Sequence, residues 1–175
     1  ELLKTDVEVV DVCTPNTTHC PIAVDAFAAG KHVLLEKPMA MNSQEAQQIV
    51  DAALKAKKVL QMGMVWRQSA AAEVLREYVE KGLCGEIYHI RTIMTRRRGI
   101  PGLGGWFTTK AQSGGGPMID LGVHWFDLSM WLSGHWNPTL VSAQTYAKFG
   151  PRMENYNYVG MWAGPPKLDG KFDVE

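Results

Sequence analysis

The sequence predicts the second half of a doubly wound parallel α/β sheet, followed by a unit of α+β character. Three observations predict this. Three short apolar runs, rich in β-branched residues, are separated by two helical stretches with short connections, the pattern of a βαβαβ unit with parallel strands. After Arg67 the pattern changes to period-two alternation beyond a single helix. No G-x-G-x-x-G and no Walker-type loop occurs anywhere, so the phosphate-binding opening of such a sheet is missing from the chain.

Taken in order, residues 7–13 (VEVVDVC) are a nearly continuous β-branched run, read as a parallel strand buried on both faces. Thr14-Pro15-Asn16 is a turn, and residues 19–29 form a helix closed by Gly30. Residues 32–35 are the second strand. Asn42 or Ser43 caps a helix running to about Lys57, with Glu45 in its first turn and Ala46, Ile49, Val50, Ala53 and Leu54 at helical spacing. Residues 59–65 are the third strand. Residues 70–81 read as a helix ending at Gly82, and residues 86–95 alternate as a sheet strand does. Residues 100–105 are a Gly/Pro-rich loop. Residues 117–132 form a helix ending near Gly134, and residues 141–146 and 157–162 read as further strands. The domain boundary falls near residues 66–70, giving units 1–67 and 68–175.

Composition narrows the function. Lysine plus arginine equals aspartate plus glutamate, 18 of each, so the formal charge is zero and nothing draws the chain to nucleic acid or a membrane surface. No stretch is apolar and long enough to span a bilayer. Cys13, Cys20 and Cys84 are an odd set without a C-x-x-C pair, which favours free thiols and a reducing, cytoplasmic setting; an export signal ahead of residue 1 is left open. The spacing of Cys13, His19 and Cys20 fits no common zinc pattern, so no metal is expected.

Chemistry concentrates at two places. Glu36-Lys37-Pro38 follows the strand His32-Val33-Leu34-Leu35 directly, so Lys37 projects from the carboxyl end of a strand, where open α/β sheets bind ligands. Much later, Gly114-Gly115-Gly116 precedes Asp120 and His124, which sit four apart on one helical face. An amine, a carboxylate and an imidazole suit proton transfer beside a bound ligand. Asp120 and His124 also fit an ordinary surface pair, and Asp127, a further turn along, reads as structural. Arg67 either reaches phosphate or substrate, or closes an ion pair. Trp106, in the loop before the glycine run, is the best placed of the tryptophans to contact a ligand.

Cys13-Thr14-Pro15-Asn16-Thr17-Thr18-His19, Gly30-Lys31-His32-Val33-Leu34-Leu35-Glu36-Lys37-Pro38, and the segment from Gly114 through Asp120 and His124 to Asp127 together resemble the glucose–fructose oxidoreductase / inositol dehydrogenase (Gfo/Idh/MocA) family. The resemblance implies a Rossmann domain holding NAD or NADP, and a second domain with an open, largely antiparallel sheet through which members form homo-oligomers. It implies hydride transfer at a hydroxyl or carbonyl of a sugar, cyclitol or related polyol. Lys37, Asp120 and His124 are then the catalytic set, with Lys37 on the reacting oxygen and His124 as general acid/base. These three and Trp106 contact substrate. Asn16, Glu36 and Lys37 face the nicotinamide end of the cofactor, Thr14, Pro15 and His19 shape that pocket, and Arg67 joins the cofactor contacts. An NAD-dependent glycosidase of the same fold needs the same residues and differs in consuming no net cofactor. A non-catalytic binding protein on this scaffold is the third reading. The missing pyrophosphate loop predicts an internal part of a longer enzyme that by itself binds dinucleotide poorly.

Overall fold

The computed structural model describes residues 1–96, 102–148, 150, 167 and 169–174. Three strands, β1 (Val9–Val12), β2 (His32–Leu35) and β3 (Leu60–Met62), form one sheet in the order β1-β2-β3. Both pairings are parallel, with Val10 opposite Val33 and Leu35 opposite Met62. The connections carry α1 (His19–Ala28) and α2 (Ser43–Ala56). This is the expected half-sheet, and sequential order with parallel pairing is what βαβ crossovers impose.

Sheet and helices share one core. Val10 and Val12 from β1 and Val33 and Leu35 from β2 meet Ala23, Ala26 and Phe27 of α1 and Ile49 and Ala53 of α2. Phe27 and Leu35 are essentially inaccessible to solvent. The opposite face differs from expectation. Val9, Asp11, Leu34 and Gln61 are exposed, so β1 and β2 alternate rather than being buried on both faces. The reason is local: α1 and α2 pack on the same side and on each other. β-branched composition reports a strand but not how many faces are covered.

The helix ends follow the predicted chemistry. Gly30 takes the left-handed conformation after α1 (φ 74°). Asn42 caps α2 by accepting the Glu45 N–H at 2.9 Å, and the Glu45 carboxylate accepts the Met41 N–H at 3.2 Å. The first bond satisfies a first-turn amide that no intrahelical carbonyl can reach, and the second ties the residue before the cap back to the helix. Replacing Asn42 with alanine is expected to cost about 1 kcal/mol, read as a lower urea midpoint with an unchanged slope.

Beyond β3 a 3₁₀ turn, Val65–Gln68, leads into α3 (Ala70–Glu80), capped by Ser69. A 3₁₀ turn at Trp106–Thr108 and a short α4 (Lys110–Ser113) precede the glycine run. The final helix opens as one π turn, Met118–Gly122, and continues as α5 (Val123–Ser133), closed by Gly134 at φ 74°.

The second sheet is not found among the described residues. Segments 86–95 and 141–146, both expected as strands, are irregular, and Tyr88, Ile93, Leu140 and Val141 stand well exposed. Alternation makes a segment able to become a strand, but a ladder partner and a covering layer have to be supplied by the rest of the fold. The expected strand at 157–162 and part of the loop at 100–105 lie outside the described residues. Among the described residues no helix is long and apolar enough to cross a membrane.

Candidate active site

The loops after β1 and β2 meet the chain on either side of the glycine run that precedes the final helix. The first follows β1. Thr14 and Pro15 lead into the turn Asn16–Thr18, which packs against α4. Asn16 is buried and donates from Nδ2 to the Ser113 carbonyl at 2.7 Å, tying the β1 loop to the residue just before the glycine run. Gly114 then turns the chain at φ 84°, a conformation open to glycine at little cost.

His19, at the start of α1, is fully buried. Its Nε2 lies 2.9 Å from the Thr14 carbonyl and its Nδ1 2.8 Å from the Pro38 carbonyl. The ring therefore bridges the loops after β1 and β2. Both nitrogens are occupied by backbone, so His19 shapes the site from behind rather than presenting a nitrogen to a ligand.

The second loop carries Glu36, Lys37 and Pro38, with a cis peptide between the last two. The Glu36 carboxylate accepts the Lys37 N–H at 3.2 Å and lies over Gly63 at the end of β3. A methyl group on Gly63 would stand 3.1 Å from Glu36 Oε1, so the bare backbone there makes room for the carboxylate. The Lys37 ammonium donates to Asp120 Oδ1 at 2.6 Å and to the Asp120 backbone carbonyl at 2.7 Å. Both side chains are mostly shielded, at 16% and 23% exposure, so this charged contact is far less screened than a surface pair.

His124 stands one turn beyond Asp120 and is buried. Its Nδ1 is shut off from solvent and has no hydrogen-bond partner among the described residues. Burial pushes the imidazole pKa below its ordinary 6.5, and the Lys37 charge pushes the same way. Asp120, Glu36 and Asp127 pull against them. No hydrogen bond joins His124 to Asp120, whose carboxylate is held by Lys37 instead.

The structure thus brings together Lys37, Asp120 and His124, with Glu36 and Asn16 on the two flanking loops. Arg67 points elsewhere: its Nε donates to Asp127 Oδ2 at 2.7 Å, and its Nη2 pairs with Oδ1 of the same carboxylate. Of the two readings open for Arg67, the ion pair is the one formed. Trp106 stacks on its neighbour Phe107, and no hydrogen bond or ring stacking joins it to Lys37, Asp120 or His124 among the described residues. Asp127 has the structural role expected of it, with Arg67 as its partner. One contributor is missing from the sequence reading. Gly63 carries the signal of a glycine closing a strand.

Residues 1–64 match the model of the oxidoreductase family with an NAD-binding Rossmann fold, and residues 73–163 match that family's C-terminal domain. The chain belongs to the Gfo/Idh/MocA oxidoreductase family. Within it, D-glucoside 3-dehydrogenase of Escherichia coli K12 is 38% identical over 161 residues, covering 92% of this chain and 45% of that protein. Levoglucosan dehydrogenase of Pseudarthrobacter phenanthrenivorans is 33% identical over 135 residues, 75% of this chain and 34% of that one. A solved structure of levoglucosan dehydrogenase in complex with NADH superposes with a TM-score of 0.71 at 31% identity, covering 76% of this chain and 37% of that chain. The chain spans under half the length of these relatives.

Proposed function

We propose that this family member is part of an NAD(P)-dependent oxidoreductase acting on a hydroxyl or carbonyl of a sugar, cyclitol or related polyol. The observation that carries the reading is the shielded Lys37–Asp120 contact beside a buried His124 whose Nδ1 lacks a partner. A buried polar atom left unsatisfied is costly, and such atoms recur where a ligand completes the site. The names of the relatives, sugar dehydrogenases among them, support the substrate class.

The donor set fits a nicotinamide cofactor. Asn16 and Glu36, on the loops after two neighbouring strands, and the room left at Gly63 provide a polar wall at the edge where such sheets take nucleotides. Thr14, Pro15, Asn16, Glu36 and Lys37 are the residues we assign to the nicotinamide end, with His19 acting through the two carbonyls it holds. When bound, the nicotinamide accepts or returns the hydride. Lys37 donates a hydrogen bond to the reacting oxygen and stabilises its negative charge. Neutral His124 takes the hydroxyl proton on oxidation and gives it back on reduction. Asp120 holds the Lys37 ammonium in place and is positioned to accept from a substrate hydroxyl. We assign residues 1–67 to the cofactor domain and 68–175 to a substrate domain with an open antiparallel sheet. The family match over residues 73–163 supports the second assignment.

The test is reduction of NAD and of NADP by the full-length protein against a panel of sugars and polyols. Substrate-dependent formation of reduced cofactor is the expected result. Absence of both turnover and cofactor binding in a fluorescence titration would sink the reading. The pH profile adds a check. His124 must be neutral to accept a proton, and burial and Lys37 hold its pKa below the ordinary 6.5, so the acid limb of oxidation is expected at a lower pH than a free imidazole would give. Asp120→Asn removes a charge that raises the His124 pKa, so whatever activity remains should have its acid limb displaced further down.

A further inference from the structure

We propose that Arg67 and Asp127 form a positioning pair that clamps the helix bearing Asp120 and His124 onto the loop after β3, and so sets where the His124 ring stands. The inference rests on the oxidoreductase reading for its kinetic test and on geometry for its content.

The pair has the fork-to-carboxylate form, two guanidinium nitrogens on the two oxygens of Asp127. The carboxylate is only 12% exposed and the guanidinium 31%, so the contact is mostly shielded from water. The guanidinium also lies over two indoles, 5.9 Å from Trp131 and 5.4 Å from Trp136. Nearby, the Arg76 guanidinium of α3 lies 5.3 Å from the centre of the Trp131 ring and donates to that residue's backbone carbonyl. Trp66, beside Arg67, stacks on Trp125 of α5 at 5.3 Å. The turn Val65–Gln68 thus grips α5 with an ion pair, a cation–π contact and a ring stack.

Asp120, His124 and Asp127 occupy positions i, i+4 and i+7, one face of the helix. The helix is fastened at both ends of that face, Asp120 to Lys37 after β2 and Asp127 to Arg67 after β3. His124 lies between the two fastenings, and no hydrogen bond to Nδ1 holds its ring among the described residues. Its location is therefore inherited from the helix. Each guanidinium nitrogen engaged by Asp127 is withdrawn from any phosphate, which sets this role against direct cofactor binding by Arg67.

The experiment compares Arg67→Ala, Asp127→Ala, the double variant and Arg67→Lys in the full-length protein, each checked for an intact thermal transition. Positioning predicts that either single change lowers kcat by about ten- to a hundredfold, with KM for the cofactor within about threefold, because a displaced catalytic group loses rate rather than binding. The double variant should be no worse than the worse single one, the mark of residues acting as a unit. Arg67→Lys, which keeps the charge but not the fork, should recover only part of the rate. A tenfold rise in cofactor KM on Arg67→Ala, with Asp127→Ala near wild type, overturns the proposal. If the wild-type protein shows no hydride transfer, the functional reading fails while the pair is still judged by NMR titration of His124. The charged groups around that ring are Lys37, Asp120, Glu36 and Asp127. Arg67 is not among them, so Arg67→Ala leaves these charges in place, and loss of position is expected to let the ring titrate nearer 6.5, as burial is relieved. An unchanged titration in Arg67→Ala overturns the proposal as well.

Discussion

Lys37→Ala is expected to lower kcat by about a hundred- to a thousandfold, with a much smaller change in the KM of either substrate, the range found when a donor to a developing oxyanion is removed. The ammonium is shielded and held at 2.6 Å by Asp120, so it is preorganised and needs no reorientation during reaction. Its loss also leaves the Asp120 carboxylate partly buried and unpaired, an additional cost that a double variant with Asp120→Asn would separate. Steady-state kinetics with saturating cofactor measure the effect. Turnover within a few-fold of wild type would remove Lys37 from the reacting oxygen and with it the site assignment.

His124→Asn is expected to lower kcat by about a hundred- to ten-thousandfold, the span of positioned general acid–base catalysis. The more telling readout is the shape of the pH profile. If His124 is the group whose protonation ends activity, the acid limb below pH 6.5 disappears in the variant and the residual rate becomes flat there. A variant that is slow but keeps its limb would assign the titration to another group and reduce His124 to packing. The two substitutions together should cost less than the product of their separate effects, since both act on one proton and one oxygen.

Much of the fold is legible in the sequence. The half-sheet was legible because its punctuation is strong: Gly30 after α1, the Asn42 cap with Glu45, and apolar runs of strand length between them. The meeting of Lys37 with Asp120 was legible only through a resemblance, since nothing local in either segment reports the other. Asn16 and Ser113 are 97 residues apart and the acceptor is a backbone carbonyl, which no side-chain pattern betrays. Alternation at residues 86–95 and 141–146 makes strands possible there, but no ladder forms at those segments among the described residues. The π turn at Met118–Gly122 went unseen because its sequence satisfies a helical pattern equally well.

That wide turn makes the stretch between the glycine run and His124 a matter of length as well as composition. Met118 and Ile119 face solvent and leave room for other side chains. Dropping one residue is different in kind. The rest of the helix would rotate by about 100° relative to what precedes it, the angle one residue subtends in an α-helix. Dropped between Asp120 and His124, it would carry His124 and Asp127 off the face they share with Asp120, and Arg67 would lose its partner. A lineage carrying this site is free to drift in letters at Met118 and Ile119 but not in count, so insertions and deletions in this stretch should be tolerated only where the chemistry has been given up.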